Sequence, residues 1–127
     1  MRKVHQFVTF VAVTPIQHAL ADYMAAHPDF HHGLAEFYQA KRDLFCQGLA
    51  ASRFQLAPSG GTYFQLLDYS AISDLDDTAM ARQLTVDHGV AAIPVSVFCE
   101  QPGNYSYLRL CFAKTENTLE EIGRAHV

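Results

Sequence analysis

The segment YSYLRLCFA at residues 105–113 decides the fold. A two-residue period, typical of a β-strand, divides its side chains into two faces. One face is wholly apolar: Leu108, Leu110 and Phe112. The opposite face carries Tyr105, Tyr107, Arg109, Cys111 and Ala113. We therefore predict a strand that packs one side on a core and holds Arg109, a fixed cation, in the middle of its other side.

The rest of the chain predicts elements in the order α-α-β-β-α-β-β-α. Helices are expected from Thr14 to before Pro28, over 31–51, over 74–88 and from Asn117 onward. Further strands are expected at 53–57, 62–67 and 90–93, the first two joined by a turn at 58–61. The apolar, β-branched first dozen residues favour a strand or an extended segment. This order indicates an α+β (α/β layered) fold, a mixed sheet with flanking helices.

Local signals mark several helix ends. Thr14 is a good N-cap, Gln17 completes a capping box, and Pro15 suits the first helical position. Acidic side chains at 74–77 favour the positive end of a helix dipole, and Gly89 is placed to end that helix in the left-handed conformation.

Composition restricts the class of protein. The chain has 127 residues, 50% hydrophobic and 17% charged, which suits one packed domain and excludes general disorder. A net charge of −4 without a basic run argues against a nucleic-acid partner. No apolar stretch reaches the length of a membrane span. The three cysteines lack CxxC spacing, which argues against a disulfide framework and favours a reducing, cytoplasmic location.

Few residues suggest chemistry. Arg109 fits either a clamp on a substrate carboxylate or a salt bridge to a nearby acidic side chain. Two glycines, Gly60 and Gly61, have no side chain and therefore allow either a close approach of the backbone to a ligand or a tight turn. Histidines at 27, 31 and 32 lack a metal-binding motif, so no metal site is predicted. No nucleophile elbow is present, and no lysine lies in an evidently apolar setting.

Five segments together resemble a known family: RKVHQ at 2–6, TPxQ at 14–17 with ALA at 19–21, PSGGTYF at 58–64, GVAAIPxSxF at 89–98 and LRLCFAK at 108–114, where x is any residue. In this order and spacing they resemble the C-terminal part of fold type I pyridoxal-phosphate aminotransferases of class I/II. The similarity points to the methionine and kynurenine (glutamine) transaminase branch and covers nearly the whole chain.

The resemblance implies roles for four residues. Arg109 matches the arginine that binds the substrate α-carboxylate, and Phe10 an aromatic residue that reaches the partner subunit's active site. Gly61 and Tyr63 would lie on the small-domain side of the substrate cleft. The lysine that holds pyridoxal 5′-phosphate as a Schiff base precedes the matched region, so no catalytic residue is expected here and the cofactor-binding residues stay unassigned.

The resemblance also implies a division of the chain. Residues 1–30 would link to an absent large domain, 31–121 would form the small C-terminal domain, and 122–127 (IGRAHV) would be a non-native tail. The chain would then be an inactive part of a homodimeric, cytoplasmic enzyme that exchanges amino groups between amino acids and 2-oxo acids. The alternative is a free-standing, non-enzymatic α+β module that binds a small carboxylate.

Overall fold

The computed structural model describes residues 2–8, 12–101, 103 and 105–124. The chain divides into two compact units, residues 1–34 and 35–127. None of the described helices has the length and apolar character needed to cross a membrane.

The first unit contains two helices, α1 (Arg2–Val8) and α2 (Thr14–Ala26), and a 3-10 turn at Phe30–Gly33. The predicted strand or extended segment is therefore wrong for Arg2–Val8. The sequence there places Val4 and Val8 one helical turn apart among residues that favour helices, such as Arg2 and Lys3. Helical spacing and propensity outweigh the β-branched composition.

The start of α2 differs from the predicted capping box. Val13 is the N-cap and Thr14 is already helical, with no side-chain capping bond. The Gln17 side chain donates to the Ala12 carbonyl oxygen at 2.6 Å instead of accepting from a backbone N–H. Pro15 therefore lies at the second helical position, one residue later than predicted, but still in the first turn, where it has no N–H that needs a partner.

The second unit carries a small sheet with its helices. Its elements include α3 (Leu34–Gly48, which begins at the boundary), β1 (Phe64–Asp68), α4 (Asp77–His88), β2 (Ile93–Pro94), a 3-10 turn (Val95–Phe98), β3 (Tyr107–Cys111) and α5 (Glu116–Arg124). The α+β class is confirmed. The N-cap of α4 is Asp76, and Gly89 ends that helix at φ 69°, so both ends agree with the local signals.

The sheet has the order β1-β3-β2 and is antiparallel in both pairings. The prediction of a mixed sheet is therefore corrected: β3 is the central strand, and both neighbours run against it. Leu66 and Ile93 are the register partners of Arg109 on either side. Arg109 thus lies at the centre of the sheet, held by a strand on each edge.

The predicted strand at 53–57 is reduced to a single bridge between Gln55 and Asp68. The buried Gln65 side chain explains why the ladder stops. Its Oε1 accepts from the Ser59 N–H at 2.9 Å, and its Nε2 donates to the Ala57 carbonyl at 2.8 Å. These backbone groups have a side-chain partner instead of a strand partner.

The core lies on the predicted face of β3. Leu108, Leu110 and Phe112 are all buried, which confirms the alternation. They pack with buried side chains from the helices and loops: Phe45, Leu49, Phe54, Leu67, Tyr69, Met80, Ala81, Leu84, Val90 and Leu119. The opposite face of β3 is left for Arg109.

Part of the predicted non-native tail is helical. Residues 122–124 form the end of α5, Ile122 packs on the core and Gly123 is buried. A Cβ placed at Gly123 would meet Gly48 Cα at 3.1 Å, so the two backbones approach closely. The foreign origin of residues 122–127 stays a prediction, and 125–127 lie outside the described residues.

Candidate functional site

The Arg109 guanidinium lies against two aromatic rings. Its Cζ is 4.4 Å from the centroid of the Phe64 ring and 5.1 Å from that of Phe98. Phe64 comes from β1, whereas Phe98 ends the 3-10 turn that follows β2. Cation–π contacts hold a guanidinium while leaving its N–H groups free for hydrogen bonds.

Among the residues that the structure describes, no carboxylate oxygen lies within 4.0 Å of an Arg109 nitrogen. The ion pairs of this part of the chain involve His32, Arg42 and Arg124. The salt-bridge alternative for Arg109 therefore has no partner within the described ranges. Arg109 as a residue is half-buried, and the planar geometry of a guanidinium suits two parallel hydrogen bonds to an incoming carboxylate.

A cleft of about 480 Å³ opens beside Arg109. Its lining includes Ile93, Lys114 and Glu121 together with the loop that follows α4. The volume falls in the range of small-molecule sites. Arg109 belongs to this lining, whereas Phe64 and Phe98 do not.

The segment that carries Phe98 is fixed by a buried carboxylate. Asp77, the first residue of α4, is 3% exposed. Its Oδ2 accepts from the Ser96 N–H and its Oδ1 from the Ser96 hydroxyl, each at 2.7 Å. The chain reversal at 93–98 is thereby tied to α4.

The other predicted site residues lie at different distances from this centre. Tyr63 is 51% exposed, and its ring packs edge-on against Phe64 at 5.7 Å, so it is one aromatic contact away from Arg109. Gly61 lines a separate cavity of about 150 Å³ together with Arg42 and Ser59. Phe10 lies outside the described residues. Of the four predicted residues, the structure therefore relates Tyr63 to Arg109 and places Gly61 elsewhere.

Several groups of the described chain have shifted pKa values. Hydrogen bonding to Cys99 raises the pKa of Tyr105, two residues before β3. Burial raises the pKa of the Cys46 thiol, against the opposing effect of Arg42. Hydrogen bonds from Ser70 lower the pKa of Asp68 at the end of β1.

The histidines and lysines do not form a catalytic group in the described ranges. His31 and His32 are exposed, and His32 Nδ1 lies 3.6 Å from Asp29. No three His, Cys, Asp or Glu side chains of the described chain converge on a possible metal position. Lys41 donates one hydrogen bond to the Lys114 carbonyl at 2.6 Å, and its ammonium lies 4.9 Å from the centroid of the Phe37 ring.

The sequence missed Phe64, Asp77 and Ser96 as site residues. Phe64 shares a sheet face with Arg109 only in the observed register, which pairs it with Cys111. Asp77 is separated from Ser96 by 19 residues, and its sequence context indicated only a helix start. Phe98 belongs to the family-like segment at 89–98. The alternation of side chains along β3 predicts only the faces of β3 itself, so it could not predict that the Phe98 ring contacts Arg109.

Comparison with protein families gives a match over nearly the whole chain. The family described as aminotransferase class I and II matches residues 1–125. A methionine aminotransferase of Escherichia coli is 52% identical over 94% of this chain, and a kynurenine–oxoglutarate transaminase of Dictyostelium discoideum is 32% identical over 92%. The matches cover only 31% and 32% of those two proteins, so the chain spans about a third of their length.

Solved structures share the fold. YbdL from Escherichia coli, for which a methionine aminotransferase function was identified, superposes with a TM-score of 0.86 at 50% identity. N-succinyldiaminopimelate aminotransferase from Mycobacterium tuberculosis superposes with a TM-score of 0.80 at 32% identity. These superpositions cover 98% and 94% of this chain, and 33% and 32% of the larger structures.

Proposed function

The chain belongs to the class I and II aminotransferases, and from this premise we propose that it forms the substrate-carboxylate side of an amino-acid aminotransferase. In this proposal Arg109 binds the α-carboxylate of the amino acid and of the 2-oxo acid. The observation that carries it is the position of the Arg109 guanidinium over Phe64 and Phe98 without a carboxylate partner in the described chain.

The physical basis is the fit between two planar groups. A guanidinium presents parallel N–H donors that match the two oxygens of a carboxylate, and charge-assisted bonds of this kind are about twice as strong as neutral ones. The rings of Phe64 and Phe98 restrict the Arg109 side chain before a ligand arrives. Less conformational entropy is then lost when the ligand binds.

Pyridoxal phosphate is the cofactor in this proposal, and it would supply the electron sink for exchange of amino groups. The described residues do not fit a cofactor cradle by themselves. The buried carboxylate of Asp77 is bonded through both oxygens to Ser96, and the Lys41 ammonium donates to the Lys114 carbonyl and lies against the Phe37 ring. The cofactor would therefore be held by a part of the enzyme that this chain does not contain.

The aromatic surroundings support a substrate with a large neutral or sulfur-containing side chain. Phe98, which contacts the arginine, is 62% exposed, and Tyr63, which contacts Phe64, is 51% exposed. Such surfaces favour apolar or thioether groups over charged ones. Similarity to a methionine aminotransferase supports the same class of substrate.

Homodimerisation and a cytoplasmic location complete the proposal. Within the first unit, Val8, Val13, Ile16, Leu20 and Met24 are large apolar side chains that are exposed, and exposed apolar surface of this kind favours association. All three cysteines are free thiols, as suits a reducing compartment.

The test is a chimaera in which this chain replaces the matching third of the Escherichia coli methionine aminotransferase. We expect transamination of L-methionine, and a fall of about 10- to 150-fold in kcat/KM for Arg109→Ala, since hydrogen bonds to charged groups contribute about 1.5–3 kcal/mol. Arg109→Lys should retain only part of the wild-type kcat/KM, because an ammonium lacks the two parallel N–H donors of a guanidinium. A folded, cofactor-loaded chimaera without activity, or an unchanged kcat/KM in Arg109→Ala, would contradict the proposal.

A further inference from the structure

The buried carboxylate of Asp77 is not needed to cap its own helix. Asp76 already does so, with Oδ1 accepting from the Ala79 N–H at 2.8 Å. A buried carboxylate is unfavourable unless it is paired and hydrogen-bonded. Asp77 therefore requires a partner from elsewhere in the chain.

Ser96 is that partner, through both of its donors. The backbone N–H and the side-chain O–H of Ser96 each donate to a different oxygen of Asp77 at 2.7 Å. Two bonds to one carboxylate fix the orientation of the residue as well as its distance. The dipole of α4 favours the negative charge at this helix end.

The segment that Ser96 belongs to meets Arg109 at both ends. At its start, Ile93 pairs with Arg109 in the sheet. At its end, the Phe98 ring lies 5.1 Å from the Arg109 guanidinium carbon, although Phe98 is 62% exposed. So exposed a ring has little packing of its own to hold it. Ser96 lies between the two ends, and the bond from the Cys99 N–H to the Ser96 carbonyl at 3.0 Å closes the turn around Phe98.

We propose that Asp77 is a positioning residue that acts through Ser96 to hold the Phe98 ring over Arg109. The carboxylate fixes the middle of residues 93–98, so that the turn delivers Phe98 to the guanidinium. The consequence for ligand binding rests on the proposed function, because it requires that Arg109 bind a carboxylate. The ring placement itself does not.

The experiment observes the ring contact directly in the 127-residue chain by NMR. Protons above an aromatic ring are shifted upfield, so Phe98→Leu defines the Arg109 Hδ resonance without the Phe98 ring. We expect Asp77→Ala and Ser96→Ala to move this resonance from the wild-type position toward that of Phe98→Leu. Ser96→Thr keeps both donors and should restore the wild-type position. If Asp77→Ala fails to fold, the position of the Arg109 resonance in Ser96→Ala tests the proposal.

Asp76→Ala is the matched control, because it removes a carboxylate from the same helix end without touching Ser96. It should lower stability and leave the Arg109 resonance in place. The inference is overturned if the wild-type resonance is not shifted from that of Phe98→Leu. It is equally overturned if Asp77→Ala and Ser96→Ala leave the resonance unchanged, or if Asp76→Ala moves it as far as they do.

Titration with L-methionine separates this inference from the proposed function. Loss of the Phe98 contact should weaken binding about two- to twelvefold in Asp77→Ala, because a less restricted Arg109 side chain loses more conformational entropy when the ligand binds. A wild-type chain that shows the Asp77-dependent shift but binds no L-methionine would support the positioning role and count against the carboxylate role of Arg109. Equal affinity in the wild type and a shifted Asp77→Ala variant would overturn the link between ring placement and binding.

Discussion

The Phe64 ring lies 4.4 Å from the Arg109 guanidinium carbon, although the two residues are not register partners. Phe64 pairs with Cys111, and Arg109 pairs with Leu66. The contact is thus diagonal across β1 and β3, a separation that aromatic and long side chains can reach on one sheet face. The Phe64 ring, which comes from the neighbouring strand β1, therefore limits the movement of the Arg109 side chain.

Phe64→Leu should weaken carboxylate binding at Arg109 about two- to twelvefold, because the arginine side chain is then less restricted and loses more conformational entropy when the ligand binds. Binding of L-methionine by the chain, measured by NMR titration, gives the result. Phe37→Leu is the matched control, since it removes a ring that lies 4.9 Å from the Lys41 ammonium and has no cation–π contact with Arg109 among the described residues. Equal loss in both variants would contradict the role of Phe64.

Gln65→Leu should lower the free energy of unfolding by about 2–4 kcal/mol, because it leaves the Ser59 N–H and the Ala57 carbonyl without their side-chain partner. Gln65 is 2% exposed, so water does not readily replace the lost bonds. Urea denaturation measures the change. Gln55→Leu, at an exposed position, should change stability by less than about 0.5 kcal/mol. A similar effect in both variants would show that the Gln65 side-chain bonds to Ser59 and Ala57 do not stabilise the fold.

Local signals were enough for some parts of this fold and not for others. The ends of α4 could be predicted because Asp76 and Gly89 act within a few residues of themselves. The buried face of β3 followed from alternation alone. The role of Gln65 could not be predicted. The sequence indicates pairing between strands at 53–57 and 62–67, whereas the Gln65 side chain itself bonds to the Ala57 and Ser59 backbone. The same holds for the site: Arg109 was visible as an isolated cation, whereas Phe98 reaches it only through Ser96 and Asp77, which are distant in sequence.

Gly89→Ala should destabilise the second unit by about 1–2 kcal/mol, since a Cβ is strained at left-handed φ. Gly89 has φ 69° and caps α4 with its N–H. Thermal unfolding followed by circular dichroism measures the loss. Gly33→Ala is the control, because that glycine has neither a positive φ nor a neighbour within 4 Å of a Cβ. A loss at position 33 as large as that at 89 would refute the strain argument.

Asp68 should make stability depend on pH in the acid range. Its pKa is lowered by hydrogen bonds from Ser70, whose N–H lies 2.8 Å from Oδ1, and by Tyr107. A lowered folded-state pKa contributes stability above the unfolded value, and this contribution disappears as pH falls from about 4 through the folded value. Asp68→Asn should therefore be less stable than wild type at pH 7, and the difference should vanish at low pH. Denaturation at several pH values tests this, and a difference that persists below both pKa values would contradict it.

The Gly48–Gly123 contact gives an asymmetric prediction. A Cβ at Gly123 would lie 3.1 Å from Gly48 Cα and 3.3 Å from its carbonyl, whereas a Cβ at Gly48 would meet Gly123 Cα at 3.4 Å. Overpacking costs about 1–3 kcal/mol, and glycine to alanine in a helix gains about 0.5–1 kcal/mol. We therefore expect Gly123→Ala to destabilise the chain by about 1 kcal/mol and Gly48→Ala to be close to neutral. Chemical denaturation of both variants measures the difference. Equal effects of the two substitutions would contradict the predicted asymmetry.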